Sequence, residues 1–304
     1  MSGLKPYRYA VFFAALIIAF FCSDFKSMGN RPAKPSDFFK PNKIFVAAHR
    51  CGWRYAPENS VEALKRCIED GVDIAEIDLK RTKDRQLIAL HDNTLDRSTT
   101  GKGNPEDYTL VEIKKMHIRD GSGHPTNCRI ATLKEILSIA KDKIIIDVDK
   151  GIEFFDEANS LIDSMNMTSQ IIFNVNDVPF ESLMKKTETV NPNLWLMVIV
   201  SPSSRTTESI IKSYQSHPNT IVQTVFSTDT VSILKQTPTI KTRNPIWFNA
   251  LWPEHNANHD DDTAVLKNKP DESWGWLIKH GATIIQTDRP KELLEYLKKR
   301  KLHQ

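Results

Sequence analysis

Cysteine is scarce and never closely paired. Cys22, Cys51, Cys67 and Cys128 are the four in 304 residues, and no C-x-x-C spacing occurs. That argues against a zinc ribbon or a dithiol redox motif. With Cys22 assigned to the leader described below, an odd three remain, which argues against a disulfide framework. Surplus charge is also lacking. Forty-one Lys and Arg against 38 Asp and Glu leave +3 at pH 7, so the basic stripe of a nucleic-acid binder is missing and no nucleic-acid partner is expected. The basic cluster Lys298 to Lys301 follows a helical pattern and reads as favourable charge at a helix C-terminus. No internal repeat stands out. No G-x-G-x-x-G turn follows the first strand, which counts against an open dinucleotide-binding sheet. Long apolar runs are few. The 13-residue stretch Ala10 to Cys22 lies behind Lys5 and Arg8; it is short for a membrane span and typical of a signal-peptide core. Residues 1–22 therefore read as a signal peptide or membrane anchor, cleaved, lipidated at Cys22 or retained. The protein is expected to be exported, as a periplasmic, secreted or membrane-anchored form. Residues 23–43, with Pro32, Pro35 and Pro41, read as a linker.

What is present is an apolar content of 40%, enough for a sizeable core. After the linker, β-rich runs alternate with helical patterns. Ile44 to Ala48 is a continuous apolar run, as in a strand covered on both faces. Ser60 to Asp70 has helical spacing, with Asn59 as the expected N-cap, Glu62 completing a capping box and Gly71 as the stop. Strands at Val72 to Leu79 and Gln86 to Leu90 follow. Counting onward gives eight or nine strand–helix units in residues 44–300, the pattern of a closed TIM (β/α)8 barrel. Residues 93–129 are loop-rich and too long for an ordinary connection, so they read as a small insertion after the third strand, with one helical stretch from Leu110 to Met116.

The chemistry-bearing residues share a position. His49 ends the first strand, Glu76 and Asp78 the second, His91 the third, and Asp147 and Asp149 the fourth. In such a barrel the strand C-termini converge on the catalytic face. Carboxylates two residues apart on a strand point the same way, and four of them facing inward repel unless a cation sits among them. Oxygen ligands without cysteine favour a hard ion such as Mg2+ or Ca2+. Imidazoles move protons near neutral pH, and Arg50 can donate two parallel hydrogen bonds to a phosphate.

These residues carry a resemblance. H49-R50-C51, P57-E58-N59-S60, E76-I77-D78, H91-D92 and R97-S98-T99-T100-G101-K102-G103 resemble the signature of the glycerophosphodiester phosphodiesterase family. Further matching segments are I130-A131-T132-L133, D147-V148-D149-K150, W247-F248-N249 and T287-D288-R289-P290. The resemblance implies a TIM barrel that hydrolyses small-molecule glycerophosphodiesters to sn-glycerol 3-phosphate and an alcohol. It implies His49 and His91 as the acid–base pair, Arg50 on the phosphate, and Glu76 and Asp78 on a divalent cation, Ca2+ or Mg2+. The family's third ligand is a glutamate in an E-x-K motif. Here D147-V148-D149-K150 stands instead, so either Asp147 or Asp149 takes that role, and in the second register Lys150 is displaced. Cys51 replaces the family's glycine and is read as inert. Glu58 is expected to orient His49 or support its loop, and Trp247 and Asn249, at a strand end, are candidate substrate contacts. The pair His255 and His259 has metal-helix spacing, but Pro253, Asn256 and Asn258 favour a loop over the barrel mouth. Which histidine is base, and whether water or a glycerol hydroxyl attacks, stays open. The alternatives are a related lipid phosphodiesterase of the sphingomyelinase-D type and a non-catalytic binding protein on the same barrel.

Overall fold

The computed structural model describes residues 34–40, 42–187, 190–202 and 205–303. The leader, and the linker up to residue 33, lie outside them. Among the described residues, eleven strands occur in the order β1 (Phe45–Ala48), β2 (Ile74–Arg81), β3 (Leu87–Ala89), β4 (His117–Arg119), β5 (Pro125–Arg129), β6 (Ile145–Asp149), β7 (Ile171–Asn176), β8 (Trp195–Val200), β9 (Thr220–Thr224), β10 (Ile246–Asn249) and β11 (Ile284–Thr287). The parallel strands run β1-β11-β10-β9-β8-β7-β6-β2, and the pairing of Ala47 with Ile74 and Ala48 with Ala75 closes the ring. The result is the expected TIM-type barrel.

The two-residue period of a strand sorts the apolar side chains into two cores. Phe45, Ala47, Ile74, Ile145, Ile172, Trp195, Met197, Ile221, Trp247 and Ile284 form a cluster that fills the lower barrel. Their neighbours Val46, Ala48, Ala75, Ile77, Ile146 and Val148 pack in the larger cluster shared with the helices. Strands buried on both faces therefore read as unbroken apolar runs. Phe38 joins the inner cluster at 1% exposure, edge-on to Phe45 at 4.9 Å and to Trp195 at 5.2 Å. It stands on a short 3-10 helix, Pro35–Phe39. The folded unit thus reaches into the stretch read as a linker and plugs its own barrel floor.

Two local expectations are corrected. The helix Val61–Asp70 is capped by Ser60, whose hydroxyl accepts from Ala63 N at 3.0 Å. Asn59, at a left-handed φ of 55°, is used elsewhere. The third strand is not a barrel stave. β3 runs antiparallel to the far end of β2, with Leu79 opposite Ala89. Residues 93–129 follow it and contain the antiparallel pair β4–β5. Leu95, Ile113 and Ile118 of this insertion pack with the flanking Ile88, Leu90 and Ile130 in a small core separate from the barrel's.

Candidate active site

Above the apolar floor the inward positions turn polar. Glu76, Asp147, Asn174, Gln223, Asn249 and Gln286 are all buried. The mouth is a cavity of about 290 Å³, lined on one side by His49, Arg50, Glu76, Asp78, His91 and Asp149 and on the other by Gln223, Asn249, Trp252 and His255.

The carboxylates are placed by strand register. Glu76 pairs with Asp147 and Asp78 with Asp149 on the neighbouring strand. Glu76, Asp78 and Asp149 each bring one oxygen within 4.8 Å of the others. Asp147 stands outside that group. It lies level with Glu76 but has one methylene fewer, is 0% exposed, and neither of its oxygens has a hydrogen-bond partner. Of the two candidates for third ligand, the structure brings Asp149 to the cluster and leaves Asp147 beneath it. Burial, then the charges of Asp78, Asp149 and Asp147, holds Glu76 well above the usual carboxylate range. Burial, then the charge of Asp149, does the same to Asp147. Asp149 is raised by burial and by Asp78. Burial works against the charge on Asp78 too, but Lys150 and His91 outweigh it and lower its pKa. Lys150 adopts a left-handed backbone (φ 59°), and its Nζ donates to Asp78 Oδ1 at 2.8 Å and to the His91 carbonyl at 3.0 Å. The displaced lysine of the sequence motif thus still delivers its charge to the site. A cluster of hard oxygen donors crowded by like charge, above an unpartnered carboxylate, fits a divalent cation.

Each histidine is held at Nδ1 by an aspartate. His49 lies 2.7 Å from Asp288 Oδ1, which also accepts from Trp53 Nε1 at 2.7 Å. His91 lies 2.6 Å from Asp92 Oδ1. Arg97 grips Asp92 from Nε at 2.6 Å and Glu58 from Nη2 at 2.7 Å. Arg50 Nη1 then donates to Glu58 Oε2 at 3.4 Å. Glu58 therefore bridges two arginines, and His49 is oriented by Asp288 instead. Asp288 belongs to the closing T287-D288-R289-P290 motif, and its place at the end of the last strand is the sequence signal for this role. Asn59, rather than capping the helix, donates from Nδ2 to Asp78 Oδ2 at 2.9 Å and accepts at Oδ1 from Asp78 N at 3.1 Å.

Arg50, Cys51 and Gly52 run consecutively at φ 48°, 59° and 76°. This left-handed turn is costly for the first two residues, and it aims Arg50 N at Glu76 Oε2, 2.6 Å away. The Cys51 thiol faces inward at 1% exposure, and burial pushes its pKa well up, so it carries no reactive thiolate. Asn249 lines the mouth and accepts from Gln223 Nε2 and Trp247 Nε1, both at 2.9 Å. Trp247 itself is corrected as a substrate contact: two residues deeper on the same strand face, it is 0% exposed in the floor and holds Asn249 in place. His255 and His259 diverge. His255 lines the mouth, and His259 stacks on Trp276 at 3.8 Å.

Fold and site together define a TIM-type α/β barrel with an acidic mouth flanked by two imidazoles. Residues 196–297 match a family model described as a domain of unknown function. A glycerophosphodiester phosphodiesterase of Caldanaerobacter subterraneus subsp. tengcongensis is 39% identical over 117 residues, 37% of this chain; the chain spans 48% of that relative's length. A glycerophosphoryl diester phosphodiesterase structure from Parabacteroides distasonis superposes with a TM-score of 0.73 at 23% identity, covering 89% of this chain and 93% of that one. A phosphodiesterase of Oleispira antarctica, solved with the product sn-glycerol 3-phosphate, gives 0.63 at 17% identity, covering 84% and 97%. Over these spans the chain is similar to glycerophosphodiester phosphodiesterases, and it shares their fold.

Proposed function

We propose that the protein hydrolyses small glycerophosphodiesters to sn-glycerol 3-phosphate and an alcohol. The observation that carries this reading is the pair of Asp-held histidines beside a carboxylate cluster whose oxygens lie within 4.8 Å. Asp288 and Asp92 each accept from an Nδ1–H, so both imidazoles offer Nε2 to the cavity in one tautomer. One Nε2 takes a proton from the attacking hydroxyl and the other returns one to the leaving alkoxide. Arg50 supplies guanidinium charge to the phosphoryl oxygens, positioned by its strained turn and by Glu58. Glu76, Asp78 and Asp149 would hold a divalent cation, Ca2+ or Mg2+, which when bound polarises a phosphoryl oxygen and offsets transition-state charge. The polar lining of the mouth suits a soluble diester better than an intact lipid, whose chains need apolar surface.

The basic and apolar N-terminus supports an exported enzyme, soluble or attached to a membrane through that segment. Product analysis on glycerophosphocholine and sphingomyelin, with Ca2+ and Mg2+ compared, tests the reading. Release of sn-glycerol 3-phosphate that stops on chelation is expected. Turnover indifferent to chelator, or confined to sphingomyelin, would overturn it.

A further inference from the structure

Beside the catalytic mouth lies a second cavity of about 360 Å³, bounded by the insertion and lined by Arg50, Trp53, Arg97, Ser98 and Arg119. It shares Arg50 with the mouth. Its Trp53 wall donates to the aspartate that holds His49, so an occupant would sit directly beside the reacting phosphate. Its donors are not used up. Arg119 is held by the carbonyls of Thr99 (2.8 Å) and Gly123 (2.9 Å), and among the described residues no carboxylate neutralises it. Arg50 Nε and Ser98 Oγ are buried without a partner. The acidic Asp120 is turned into its own loop, where Oδ1 accepts from Ser122 N and His124 N, both at 2.9 Å. A buried hydroxyl and a buried guanidinium N–H without acceptors are costly unless something fills them.

Resting on the phosphodiesterase reading, we infer that this pocket is a second anion subsite, which receives a phosphomonoester carried by the alcohol half of the diester. Forked guanidinium groups and a hydroxyl suit its several oxygens. Of the two acidic residues that line it, Glu58 is already occupied by Arg97 and Asp120 is engaged through Oδ1 by its own loop, so a cationic head group is less well matched than an anion.

The test compares kcat/KM for glycerophosphoinositol 4-phosphate, glycerophosphoinositol and glycerophosphocholine in the wild type, Arg119→Gln and Ser98→Ala. Wild type should prefer the phosphorylated ester over glycerophosphoinositol by about tenfold or more, the worth of one or two charge-assisted hydrogen bonds. That ratio should fall towards one in both variants. Arg119 also braces the insertion, so its variant is read alongside a thermal melt; Ser98→Ala removes no bond within the protein and keeps the test open if Arg119→Gln is unstable. Equal efficiency on the two inositol esters, or a preference that survives both substitutions, overturns the inference. Inhibition by inorganic phosphate with no preference between the esters would make the pocket a free-anion site and overturn it equally. Turnover of none of the three esters would instead sink the phosphodiesterase reading, and this inference with it.

Discussion

At the scale of single residues, the aspartates behind the histidines make sharper predictions than the histidines themselves. Asp288→Asn should leave the fold intact but lower kcat by about 10²-fold or more, because an amide no longer selects the Nδ1–H tautomer of His49. Circular dichroism and steady-state kinetics check this, and a variant at full kcat would remove Asp288 from the acid–base machinery. Asp147 and Asp149 separate in the same way. Asp149→Asn should weaken Ca2+ or Mg2+ binding by calorimetry far more than Asp147→Asn, because Asp149 and not Asp147 shares the 4.8 Å cluster. These roles were partly legible in the sequence. Strand-end placement marks His49, Glu76 and Asp78 as candidates, and the roles of these three and of His91 are what the family resemblance implies. Asp149 could not be separated from Asp147, because the choice depends on side-chain reach at a given register. Lys150 was hidden for a related reason: a left-handed turn redirects a side chain that strand periodicity alone would send elsewhere.

At the scale of elements, the barrel strands were readable because burial on both faces leaves a signal that polar contacts do not blur. β3 was not readable as antiparallel. Its three buried residues look like any short buried strand, and the direction of pairing is a property of the partner. The floor plug is not legible in the sequence because two adjacent phenylalanines among prolines carry no periodicity. Its consequence is measurable. Phe38→Ala should cost about 3 kcal/mol of stability, the usual penalty for emptying a packed aromatic site. Urea denaturation at constant m-value reads this out. A loss under about 1 kcal/mol would place Phe38 outside the core.

At the scale of the whole molecule, the mouth sets how stability varies with pH. Glu76, Asp147 and Asp149 have pKa values raised by burial and mutual repulsion. Burial lifts Asp261, which holds Asp288 N at 2.7 Å, to about 7. A carboxyl with a raised folded-state pKa binds more protons folded than unfolded. Its stabilising effect is full below the unfolded value and is lost as pH rises through the folded one. The lowered pKa values of Asp78 and Asp92 act in the opposite sense, below the ordinary carboxylate range. In chelator, Tm should therefore fall between about pH 5 and pH 8. A divalent cation should recover most of the loss at the upper end, as any ligand of the folded state does. A Tm that rises across this window, or that ignores the cation, would contradict the cluster's assigned charge.

Lys150 reaches Asp78 without any outside ion. The barrel thus carries a tethered counter-ion of its own, and stripping the exchangeable one leaves the acidic ring only partly exposed to its own repulsion. Loss of catalysis and loss of architecture should consequently be separable events: a chelated sample at neutral pH stays folded while it is silent, and adding cation back restores turnover without any refolding lag.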